Sequence, residues 1–223
     1  MDASLKWCST PPLWHTEAVG GVHPIGTKIM RAKILLGCLA MAGAAQAQQA
    51  SEPPNPRLDT VVSVVTLDFD GDGDMDRAAL VQGKEDDDAD LFIYLAGSDP
   101  NDAGRRELAL VKESVAWIGG MWGTLPILEA SPKGSLLLRS QNDAIGRSRW
   151  SQTLTIIRRG GRFLVAGFTM TSRDTLEPNS SSSCDVNLLS GQAVRNGKKL
   201  TTTSKPIELK EWDENTWPKE CRF

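Results

Sequence analysis

Between residues 59 and 223, no window of a dozen residues sets apolar side chains at the i, i+3, i+4 spacing that an amphipathic helix needs. Apolar residues come instead in short β-branched or alternating runs, at 61–67, 77–82, 90–96, 107–112, 135–140, 151–159, 162–171, 184–190 and 199–203. Turn-forming residues separate them. Gly160-Gly161 and Asn196-Gly197 each stand between two such runs and read as two-residue hairpin turns, because only residues that tolerate positive φ fit there. The expected fold is therefore all-β: a single domain over 59–223 of about nine or ten short antiparallel strands, forming a sandwich or an open barrel. Pro178 and Asn179 with Ser180 to Ser183 read as a flexible loop, and no repeat is visible at any period.

The longest apolar run lies upstream of this region. Met30-Arg31-Ala32-Lys33 opens a short apolar stretch from Ile34 to Ala45, followed by the small-x-small site Ala45-Gln46-Ala47. That order of charge, apolar run and small residues is a secretory signal, too short to span a bilayer. The reading is thus an upstream extension over 1–29, a signal peptide over 30–47 and a polar, proline-bearing linker over 48–58. Leu35-Leu36-Gly37-Cys38 has the look of a lipobox, but only four residues separate Lys33 from Cys38, too few for an apolar region.

Cleavage after Ala47 changes which chemistries are available. The whole chain carries 25 basic and 28 acidic residues, and losing four and two of them leaves 21 and 26, a net of −5. His15 and His23 are lost, so the mature part has no histidine, which excludes Ser-His-Asp and Cys-His nucleophiles, histidine zinc sites and a histidine general base. Mild acidity and 6% aromatic content give no footprint for nucleic acid. Cys184 and Cys221 survive as an even pair in an exported chain, so a disulfide is the default and two separate buried thiols the alternative. The bridge would close a loop of about 36 residues and contribute about 3 to 4 kcal/mol on the chain-entropy model.

The most specific motif is Asp68-Phe69-Asp70-Gly71-Asp72-Gly73-Asp74-Met75-Asp76. Carboxylates at positions 1, 3, 5 and 9, with glycine at position 6, converge oxygens on a hard cation, and Ca2+ suits so flexible an oxygen set better than Mg2+. Asp74 would offer its backbone carbonyl. An EF-hand does not fit, because position 12 is Ala79 rather than glutamate and the flanks read as strands. Strand, acidic loop and a strand beginning Arg77-Ala78-Ala79-Leu80-Val81 resemble the calcium loop of FG-GAP repeats, also called VCBS-like, the units of integrin-type propellers. The resemblance covers about 61–82. It implies side-chain ligands at Asp68, Asp70, Asp72 and Asp76 and one structural calcium. The motif occurs once, in a chain too short for a seven-bladed ring, so a full propeller is not expected. Stretches such as Ile145 to Trp150, Gly161 to Gly167 and Cys184 to Gly191 resemble a group of small exported bacterial proteins, a likeness that implies no activity.

Charge is polarised along the chain. Residues 68–90 hold ten acidic and two basic side chains, whereas 133–173 hold eight basic and one acidic. Arg147, Arg149, Arg158 and Arg162, with Arg159 and Arg173, are candidates for an anion-binding face, the alternative being outward positions paired with the acidic half. Glu85 to Asp88 read as a solvated hairpin loop. Trp117 and Trp122 are candidates for a sugar-binding groove, or for core packing. The function expected is an exported calcium-binding module, periplasmic or extracellular, for an envelope or extracellular ligand, an anionic one if the arginines carry it. The runner-up is a carboxylate-dependent hydrolase of envelope polysaccharide, for which no pair stands out, although Glu129 and Asp143 lie near turns.

Overall fold

A computed structural model describes residues 58–85, 87–97, 104–177 and 179–223. The upstream extension, the signal peptide and the linker up to residue 57 lie outside the described residues, as do Asp86 and Pro178.

The architecture is all-β, two antiparallel sheets without barrel closure. The smaller sheet is a meander of β1 (Val61–Leu67), β2 (Asp76–Gln82), β3 (Asp88–Ala96) and β4 (Arg106–Trp117). The larger sheet runs, from one edge to the other, through β11 (Lys198–Thr201), β10 (Gln192–Arg195), β9 (Ser181–Asn187), β8 (Arg162–Asp174), β7 (Ser148–Arg159), β6 (Leu136–Asn142) and β5 (Ile127–Ala130). β12 (Ile207–Glu208) pairs with Val165 and Leu164 of β8, beyond the point where β9 stops. Both expected hairpin turns are present, with φ of 58° and 75° at Gly160-Gly161 and 47° and 77° at Asn196-Gly197, the positive pairs that match strand twist.

All nine strand-like runs are strands. Three more, β5, β10 and β12, have two to four residues, too few to display an alternation. One expectation is corrected: Ser181 to Ser183 are not a loop but the start of β9, opposite Arg173, Ser172 and Thr171. The long strand β8 presents a free row of backbone donors and acceptors at that edge, and pairing them outweighs the weak strand preference of serine.

Between the sheets, Leu80, Leu91 and Ile93 of the smaller one meet Leu138, Leu154, Ile156 and Phe168 of the larger one, each about fully buried. Each such side chain contributes about 1.5 to 3 kcal/mol by leaving water. A second cluster, Ala79, Val81 and Phe92, occupies the opposite face of the smaller sheet.

Candidate functional site

The acidic loop joins β1 to β2 at one end of the sandwich. Gly71 and Gly73 take φ of 80° and 95°, which turns the chain tightly enough for Asp68 to accept their backbone N–H groups at 2.7 and 3.1 Å. Asp76 is fully buried at the start of β2. Its two oxygens accept the Phe69 and Ala96 N–H groups, both at 2.8 Å, which ties the loop to the end of β3. Phe69 is buried edge-on against Phe163, with ring centres 5.2 Å apart.

Of the five aspartates, the structure brings Asp68, Asp70 and Asp76 together, with one carboxylate oxygen of each within 4.8 Å of the others. Two oxygens on one ion at about 2.4 Å stand at most about 4.8 Å apart, so these three can hold a single metal ion. Asp72 and Asp74 stand outside the cluster, and Asp72 accepts the Asp74 N–H at 2.8 Å. Burial, followed by the charges of Asp76 and Asp72, raises the Asp70 carboxyl above its ordinary value, against the opposing pull of Arg158. Like charge crowded in this way favours a counter-cation.

The four candidate anion-binding arginines do not share one face. Arg158 lies on the same side of β7 as Leu154 and Ile156 and donates to Asp70 at 2.8 Å. Arg149 alternates to the opposite side of β7, and Arg147 lies in the turn just before the strand. Arg147 is held by Asp174 and Glu177 at the 175–177 turn, and Arg162 is held by Glu208 at 3.2 Å. Hydrogen bonding to Arg147 and to the Leu176 and Glu177 amides holds the Asp174 carboxyl below the usual range, and the same contact raises Arg147. Arg173 pairs with Asp143 at 3.1 Å and Arg139 with Glu129 at 2.9 Å, which occupies both carboxylates noted near turns. Arg149 is half-buried, and its Nη1 has no hydrogen-bond partner among the described residues.

Cys184 and Cys221 form a disulfide, with Cα atoms 5.3 Å apart. A structural disulfide points to an oxidising, non-cytoplasmic compartment. Among the described residues, no helix is long and apolar enough to cross a membrane. The bridge pins the C-terminal segment onto β9. That segment brings Trp212 and Trp217 over Phe168, each with ring centres 5.3 Å from it.

This placement creates a cleft. Along the inner face of the large sheet, the cross-strand row Leu138, Leu154 and Phe168 is followed by Ser140, Gln152 and Met170, and then by Asn142, Trp150 and Ser172. The core face thus changes from apolar to polar within two rows, and the sheets no longer seal against each other. The opening has a volume of about 450 Å3 and is lined by Trp117, Trp150, Trp212 and Trp217, together with Asp88, Asn142, Gln152 and Asp213. Trp117 lies opposite Asp88 in the β3–β4 register and meets Trp150 with ring centres 5.8 Å apart. Gly119 permits this, since a Cβ there would collide with the Trp117 ring and with Thr124. At the cleft rim, Ser114 adopts φ of 49°, held by Asp90, which accepts its N–H at 2.8 Å. Trp122, by contrast, is 95% exposed and takes no part.

Of the cleft tryptophans, sequence reasoning singled out Trp117 alone. Trp150, Trp212 and Trp217 are distant in the chain, and their only local signal is the Ser-Gln-Asn replacement of leucines along two strands. No protein-family model, no curated protein and no solved structure matches this chain.

Proposed function

We propose that the protein is an exported binding module, periplasmic or extracellular, whose tryptophan cleft takes a saccharide of the envelope or its surroundings. The observation that carries this reading is the lining of the cleft. Indole faces accept the C–H faces of a sugar ring, while the side chains of Asp88, Asn142, Gln152 and Asp213 supply acceptors and donors for its hydroxyls. About 450 Å3 lies within the size range of pockets that enclose small ligands.

The cation at Asp68, Asp70 and Asp76 is calcium in this reading, in keeping with the resemblance of the loop to FG-GAP units and with the taste of Ca2+ for carboxylate oxygens. Its role is structural: it secures the β1–β2 hairpin and favours the folded state by mass action. Raising Ca2+ should raise Tm and a chelator should lower it; no shift under either would remove the ion from the account.

A second reading is favoured by two carboxylates, Asp88 and Asp213, lining one cleft, as glycoside hydrolysis requires. Incubation with envelope polysaccharide separates the two. Retention of the polysaccharide without release of reducing ends supports binding, whereas release abolished by Asp88→Asn and by Asp213→Asn supports hydrolysis.

A further inference from the structure

We propose that a separate pocket on the outer face of the large sheet, around Arg149, binds a tetrahedral oxyanion, sulfate or phosphate. This site is independent of the tryptophan cleft. Arg149 and Arg173 lie directly opposite each other on β7 and β8, and like charges so placed repel. Asp143 takes up Arg173 at 3.1 Å, and among the described residues no carboxylate does the same for Arg149. Its Nη1 is closed off from solvent with no acceptor among the described residues, a costly arrangement for a guanidinium.

The pocket, about 480 Å3, has no carboxylate among its described lining residues. On the face of the two arginines the pocket is lined by Thr171, Ser181 and Ser183, which carry hydroxyls, and by the amide of Asn196. Asn196 spends its carbonyl oxygen on the Ser183 N–H at 2.7 Å, which leaves its Nδ2 to donate. A guanidinium, hydroxyls and an amide donor lining one pocket, with Asp143 engaged by Arg173, are the chemistry that holds an oxyanion. The cavity exceeds the needs of a bare ion, so there is room for the group as an ester on a larger molecule.

The test is an NMR titration of the disulfide-bonded protein with inorganic sulfate and inorganic phosphate, and with a monosaccharide sulfate and a monosaccharide phosphate as separate arms. The expected result is saturable shifts at the Ser182, Ser183 and Asn196 amides, with affinity at least about tenfold weaker in Arg149→Gln and unchanged in Arg139→Gln. Asn196→Asp keeps the acceptor for Ser183 and suits positive φ but adds a negative charge, so it should weaken binding as much even if Arg149→Gln folds poorly. Tighter binding of the esters assigns the group to a glycan, and equal binding assigns it to the free anion; both support the site. The absence of saturable shifts, or an equal loss in Arg139→Gln, would overturn it.

Discussion

Arg158 on the large sheet donates through Nη1 to Asp70 on the acidic loop of the small sheet, 2.8 Å away and 88 residues distant in sequence. The two oppositely charged halves of the chain thus meet at the candidate metal site, and the arginine competes there with a cation for one carboxylate. Both side chains are mostly covered, at 25% and 17% exposure, so the pair is less screened than those at the surface.

Removing Arg158 should therefore strengthen cation binding. Arg158→Met keeps the packed stem but deletes a positive charge a few ångströms from the ion, and Ca2+ affinity should rise by about threefold to tenfold. In chelator the same variant should melt earlier than the parent. Calorimetric Ca2+ titration decides the sign, and weaker binding in the variant would count against the site.

Asp76 and Asp72 should behave very differently. Asp76→Asn replaces an oxygen facing a backbone donor with an NH2 group in a fully buried position, at a cost of about 3 kcal/mol even without metal. Among the described residues Asp72 makes a local turn bond in an exposed loop, so Asp72→Asn should cost less than about 1 kcal/mol. Urea unfolding in chelator, compared with and without Ca2+, measures both.

The sandwich and its strands were legible in the sequence because alternation and paired glycine or Asn-Gly turns are local signals. Ser181 to Ser183 were not legible, because their pairing is dictated by the long edge of β8 and not by their own side chains. The acidic loop was readable as a motif. Its division into three converging carboxylates and two that stand apart depends on backbone turns at Gly71 and Gly73 and on burial of Asp76 against β3. The cleft was the least legible part, since its tryptophans come from β4, β7 and the C-terminal segment, and the disulfide brings the last of these into place.

Reduction should open that cleft. The bridge spans 37 residues, and Cys184→Ser with Cys221→Ser should lose about 4 kcal/mol on the chain-entropy model. Trp212 and Trp217 should become more exposed, with a red shift in emission and loss of saccharide binding. Denaturant melts and fluorescence on the same samples test both effects.

The Arg147–Asp174 contact gives a pH-dependent readout. The folded-state pKa of Asp174 is depressed, so the contact stabilises the fold above the unfolded carboxyl value and is lost as pH falls through the folded one. Asp174 should titrate below 3.8 by carboxyl NMR, and Arg147→Ala should bring its midpoint back up toward that value. An unchanged midpoint would mean that the pair does not persist in solution.

The most direct test of the central claim is a tryptophan-fluorescence titration with oligosaccharides released from envelope polysaccharide, comparing the parent with Trp150→Ala and Trp122→Ala. Saturable quenching that Trp150→Ala abolishes and the exposed Trp122→Ala preserves is the predicted result. Equal binding in parent and Trp150→Ala, or no saturable response from the parent, would contradict the assignment of the cleft as a saccharide site.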